Sequence, residues 1–304
     1  MSMLVLQPTA VTDSMVLSSS AVEDATAAYV ASTVYPAGQR VHRTQTHRVY
    51  ECLLDGTTGY TPEDSPTRWH DVGPTNRYAL FDSVLQTVTT GEVDQPLVVE
   101  LQPGPVEGVM LAGLSGAAWV QVDQLDAVGG STVYSQVQRL DSVAITDHRT
   151  WSTAPFKYRS MAFFSDLQPY LAGVVRVTVQ PISGQAASVG VLAVGAVADV
   201  GSAQKGISFG GITYSRITTD DYGTTTITRR ANTRDLNFEL LLPLSQLDTA
   251  AQVLEDAKTT PSGFVPSTAA KYDALLRWGL VESWTATLPE AEWVTVRGRI
   301  KGLI

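Results

Sequence analysis

Gly173–Gly184 reads GVVRVTVQPISG, and its alternation decides the fold class. Val175, Val177 and Val179 share one side of an extended chain, because successive side chains of a strand point to opposite faces. The same texture runs outward in both directions. PLVVELQPG (96–104), GVMLAGLSG (108–116), AAWVQVDQL (117–125), STVYSQVQRL (131–140), KYRSMAFFSDL (157–167) and SVGVLAVGAVADVG (188–201) are each short and β-branched or aromatic. Each is closed by Gly, Pro, Asp, Ser or a polar turn. Evenly spaced short strands of this kind read as a β-sandwich, jelly-roll-like, over residues 79–203, with no helix expected there.

The flanks differ from this centre. Residues 1–33 alternate weakly and are rich in Ser, Ala and Thr, which reads as an N-terminal arm carrying at most one short strand. Residues 34–78 form a small loop-rich unit: Arg40-Val41 and Val49-Tyr50 are the arms of a hairpin, and DGTTGYTPEDSP is a chain of turn signals before Trp69. Residues 204–304 mix types. Three or four strands with a turn at Tyr222-Gly223 precede a helix marked by Leu247, Ala250, Ala251 and Leu254, with Ser245 and Asp248 as its capping box. A second short helix is expected over AAKYDALLRWG, ended by Gly279, before two closing strands. The whole is a mainly β chain with an α+β C-terminal docking domain.

Composition narrows the function classes. Charged residues make up 17% of the 304 and the net charge is −9, with no Lys/Arg block, so a nucleic-acid partner is not expected. No stretch reaches the roughly 20 apolar residues that span a bilayer, so no membrane insertion is expected, and MSMLVLQPTAVTDS lacks a basic leader. The reading is of a chain made in a cytoplasm. Cys52, the single cysteine, sits in VYECLL and reads as a buried thiol.

Catalytic motifs are sparse. GLSGA (113–117) lacks the second glycine of a nucleophile elbow, and SFGGITY is no phosphate-cradling loop. His42 and His47 stand five apart, which fits neither helical nor strand spacing for a metal; Asp220 and Asp221 read as a turn. Thirty acidic residues offer many carboxylate pairs, yet none is singled out by its neighbours. No catalytic residue, metal or cofactor is assigned, and the expectation is a non-enzyme.

Aromatic side chains are the remaining binding signal, since rigid rings stack on the apolar faces of sugars. Tyr35, Tyr50, Tyr60 and Trp69 fall within one short span and are the glycan-binding candidates. For Tyr50 and Trp69 the competing reading is the unit's own core. Tyr60, between Gly59 and Thr61, is the one expected to face out.

The order Tyr35-x-x-Gly38-x-x-Val41, then Val49-Tyr50-Glu51, then Pro62, Pro66 and Trp69, resembles the chitin-binding-like modules of carbohydrate-binding families 5 and 12. The continuation WHDVGPTNRYALFDS, with VTDSMVLSSSAVED upstream, resembles tail-associated structural proteins of tailed bacteriophages, over about residues 10 to 85. That resemblance implies a virion structural protein of the tail or baseplate, assembled in the host cytoplasm, with other virion tail proteins and copies of itself as partners. It also implies a cell-surface glycan as an alternative partner. Where chitin-binding members carry exposed aromatics this chain has Leu53-Leu54, so the module reads either as a sugar binder or as a spacer. GPTNR reads as a rigid corner between domains: Pro74 fixes φ, Asn76 bonds its own backbone neighbours, Arg77 donates to carbonyls across the junction, and Tyr78 and Phe81 enter the sandwich.

Overall fold

The computed structural model describes residues 2–141, 147–153, 157–204, 207–229, 232–288 and 292–303. The fold is mainly β. A small antiparallel sheet holds β4 (Arg40–Arg43), β5 (Arg48–Cys52) and β6 (Trp69–Pro74), with the two-residue β3 (Ala27–Ala28) added in parallel. The hairpin register matches the sequence reading, Arg40 opposite Glu51 and Val41 opposite Tyr50.

The second sheet runs β11 (Thr132–Arg139), β10 (Ala117–Leu125), β13 (Val174–Pro181), β8 (Leu97–Leu101), β2 (Val16–Ser19). Val175, Val177 and Val179 of β13 are all buried on its inner face. They meet Leu97, Val99 and Leu101 from β8 and Val120 and Val122 from β10, and across the core lie Val109, Leu111, Phe164, Leu192 and Val194. Each such side chain contributes roughly 1.5–3 kcal/mol by leaving water. The short pair β7 (Thr89–Val93) and β14 (Ala186–Val189) closes one flank.

The third sheet has nine strands: β12 (Met161–Phe164), β9 (Gly108–Ala112), β15 (Val191–Ala203), β1 (Ser2–Pro8), β20 (Ser262–Val265), β21 (Arg277–Thr287), β22 (Trp293–Gly302), β19 (Asn232–Pro243) and β16 (Ser208–Thr213). Its first strands face the second sheet and complete the sandwich. The thirteen-residue β15 then bends onward: past β1 it also pairs with β19, Ser202 opposite Leu241. Strands β15, β1, β20, β21, β22 and β19 therefore close into a barrel, which removes their free edges. Its interior holds Met3, Val5, Leu236, Phe238, Leu240, Val294, Val296 and Ile300. The helix α2 (Leu247–Thr259) lays Ala250, Val253, Leu254 and Ala257 onto the same core.

Several expectations are corrected here. The first residues are no free arm: β1 lies between β15 and β20, with Met3, Val5 and Leu6 fully buried. Met3 and Val5 serve the barrel core while Leu6 joins Met110, Val265 and Trp278 on the other face. An apolar run buried on both faces makes a central strand. The boundary at residue 203 likewise does not separate two sheets, because β15 ends there after pairing with strands on both sides of it. A six-residue helix, α1 (His148–Thr153), occupies the region read as helix-free; it is too short to show a periodic pattern.

The Ser245–Asp248 capping box does not form. Pro243 leads into a 3₁₀ turn at Leu244–Gln246, Gln246 takes the N-cap position, and no side chain caps it. The second expected helix is a 3₁₀ turn, Ala270–Leu275, and Gly279 lies inside β21 opposite Gly302. A Cβ on Gly279 would stand 2.3 Å from the Lys301 carbonyl oxygen, so close strand approach, not helix termination, requires glycine there.

Candidate functional site

The small unit builds its core from the residues that the sugar-binding reading nominated. Tyr35, Tyr50 and Trp69 are buried with Val41 and Cys52. Tyr35 and Trp69 meet edge to face with centroids 5.2 Å apart, and Tyr29 stacks on Tyr35 at 5.7 Å. The Tyr35 hydroxyl accepts the Val30 N–H at 2.7 Å and lies 3.1 Å from the Val30 carbonyl oxygen, so the tail of the preceding segment is tied to this cluster. A unit with so few apolar residues spends its aromatics on holding itself together. As glycan-stacking residues, Tyr35, Tyr50 and Trp69 are therefore corrected: their faces are covered.

Tyr60 is placed differently. Its carbonyl oxygen accepts hydrogen bonds from the Trp69 indole N–H and the Tyr29 hydroxyl, each at 3.0 Å, and this fixes its backbone. Its side chain turns outward, 44% exposed, with the Arg68 guanidinium 3.9 Å from the ring centroid. Such a cation–π contact holds a ring upright at little entropic cost. Leu53 and Leu54 are also exposed, at 47% and 48%. Arg68 and Tyr29 were missed in the sequence, where nothing marks which cation lands on which ring.

The junction is a seam of three chain segments. Asn76 does not bond its own neighbours. Its side-chain amide donates to the carbonyls of Val22 (2.7 Å) and Thr90 (3.0 Å), and its Oδ1 accepts the Thr90 N–H at 2.8 Å. Its backbone N–H goes to the Asp24 carboxylate at 2.8 Å. Asn76 thus stitches the N-terminal segment to β7. Arg77 differs from expectation too, for its Nε is buried with no partner among the described residues. The backbone at Pro74 ends β6 opposite Arg48.

Tyr78 completes the seam. Its hydroxyl donates to the Asp13 carboxylate, its ring lies against Phe81 edge to face at 6.2 Å, and His47 stacks on its other side. His47, at φ 51° in the β4–β5 turn, also sits 3.2 Å from Asp13 through Nε2. Burial first, then the hydrogen bond to Asp13, push the Tyr78 hydroxyl up to about 12. His42, the other histidine of the hairpin, bonds the Thr26 carbonyl through Nδ1 at 2.6 Å. Among the described residues, no group of three or more His, Cys, Asp or Glu is placed to hold a metal.

A third feature is carried by the chain between β16 and β19. There it forms a hairpin, β17 (Arg216–Thr219) and β18 (Thr225–Thr228), whose every residue is exposed and whose strands, among the described residues, pair only with each other. Asp220 holds its turn by accepting the N–H groups of Tyr222 (3.0 Å) and Thr224 (2.7 Å). Ile217, Ile227 and Phe209 are 60–68% exposed and Tyr222 is 95% exposed.

No protein-family model and no curated protein matches this chain. Among solved structures, chitosan-binding module 1 of a chitosanase/glucanase from Paenibacillus sp. IK-5 is similar. The likeness covers 38% of this chain and 81% of that one, at 12% identity and a TM-score of 0.27.

Proposed function

We propose that this chain is a non-enzymatic structural component of a bacteriophage tail or baseplate, assembled in the host cytoplasm and resident in the virion. The observation that carries the reading is the β17–β18 hairpin. A two-stranded ladder alone in water is marginal, and one with Ile217 and Ile227 turned outward gains stability when a neighbour covers it. The occupant we assign is an adjacent copy of the same chain, because most oligomers are built from identical copies in closed symmetry, a ring where the rotation closes. Other tail proteins would stack above and below such a ring. Docking falls to this hairpin and not to the N-terminal residues, which are already committed to the nine-stranded sheet. Mass spectrometry of purified virions is the test: the polypeptide must be present in them, and its absence ends the reading.

Glycan recognition is the second reading, favoured by one observation, the exposed Tyr60 ring with the Arg68 guanidinium over it. Pull-down on chitin or lipopolysaccharide should then retain the chain, and Tyr60→Ala should release it. Retention unchanged in Tyr60→Ala would leave the small unit as a spacer.

A further inference from the structure

A cleft of about 500 Å³ opens beside the first residues of β12 and the start of β21. Its volume lies within the range of about 300–1,000 Å³ typical of small-molecule sites. Arg159, Arg234 and Arg277 line it, with Asp273 as a described carboxylate on its wall. That is a concentration of positive charge in a chain whose net charge is −9.

The first residue of β21, Arg277, is 4% exposed. Its Nη1 is pinned, donating to the carbonyls of Ala274 at 2.8 Å and Leu276 at 2.6 Å. Its Nε and Nη2 have no hydrogen-bond partner among the described residues and almost no accessible surface, so a ligand meets them only as the cleft wall gives way. Those two nitrogens form one edge of the guanidinium plane, the side-on fork that matches two oxygens of a single oxyanion. Asp273 is already engaged by Arg159. Burial, and after it the neighbouring Arg234 guanidinium, hold Arg277 below the usual arginine range, so an anion seated between the two cations relieves both effects.

We propose that this cleft binds an oxyanion, a carboxylate or a phosphate group on a small ligand, which sets two oxygens against the Nε–Nη2 edge of Arg277 with Arg234 as the second cation. The inference stands apart from the tail reading, since either could hold without the other. Isothermal titration of the full chain, at ionic strength fixed with chloride, would use glucuronate, glucose as its neutral twin, and inorganic phosphate. The expected result is saturable binding of glucuronate, phosphate or both, with none of glucose. Glucuronate alone identifies a carboxylate ligand, and phosphate alone identifies a phosphate ligand. Arg277→Lys keeps the charge and loses the fork, and should weaken binding about tenfold or more. Arg234→Ala, at an exposed position, should weaken it while leaving the fold intact, and it decides the matter if Arg277→Lys fails to fold. Absence of saturable anion binding by the unmodified chain, or binding unchanged in Arg234→Ala and in any folded Arg277→Lys, overturns the proposal.

Discussion

The imidazole of His47 lies flat on the ring of Tyr78, centroids 3.6 Å apart and planes inclined by 11°. One residue belongs to the turn of the small unit and the other to the junction, and Asp13, just ahead of the second sheet, contacts both. The contact ties the small unit to the sandwich by side chains as well as by the covalent link. Tyr78→Ala should therefore loosen the small unit while the barrel keeps its stability. Faster amide exchange confined to 34–74 would show this, and uniform exchange across the chain would contradict it.

Alkali should act on the same seam. Tyr78 has its folded value raised to about 12 from the ordinary 10, so its contribution is whole below pH 10 and is lost as pH rises through 12. Tyr134, raised to about 12 by burial, follows the same sign. Ultraviolet titration should find Tyr78 and Tyr134 among the tyrosines that ionise late, and Tyr78→Phe should remove one of them.

Asn76 has donors and acceptor all engaged across the seam. Truncation in Asn76→Ala leaves the Thr90 amide and the Val22 and Thr90 carbonyls without their partner, at a cost of about 2–4 kcal/mol. Asn76→Asp should be worse, because a carboxylate would face two carbonyls beside Asp24. Urea denaturation orders the two; equal midpoints would mean that water replaces the amide.

Trp69 and Tyr60 should behave as opposites. Trp69→Ala opens a hole in the smallest core of the molecule and should cost about 3–5 kcal/mol, enough to unfold the small unit. Tyr60→Ala removes an exposed ring and should leave near-ultraviolet circular dichroism of the unit almost unchanged. A folded Trp69→Ala protein would return Trp69 to the list of surface candidates.

Gly279→Ala tests the barrel seam between β21 and β22, where the new methyl would meet the Lys301 carbonyl. A loss of about 1–3 kcal/mol is expected. Ile217→Asp with Ile227→Asp tests the docking hairpin instead: the thermal midpoint of the monomer should hold, while ring assembly seen by light scattering is lost.

The β-class was legible because its signal is local. Val175, Val177 and Val179 announce a half-buried strand within seven residues, and the β4–β5 hairpin announces its own register. What escaped is non-local. SMLVLQP reads as a weak apolar run until β15 and β20, near residues 195–202 and 263–265, are known to flank it. Gly279 reads the same as a helix stop or as a close crossing of strands. Tyr35, Tyr50 and Trp69 were read as glycan-stacking rings and lie in the core, because ring content cannot distinguish a platform from a core. Arg277 carries no sequence mark at all, since its character comes from burial and from the two carbonyls that occupy one of its nitrogens.

The position of β1 has a consequence for biosynthesis. On the ribosome β1 waits for partners that are translated some two hundred residues later, so the barrel stays open until β20 and the strands after it have been made. Met3, Val5 and Leu6 are exposed to chaperones throughout that interval, and any transcript stopping short of Ser262 yields a product with an unzipped wall.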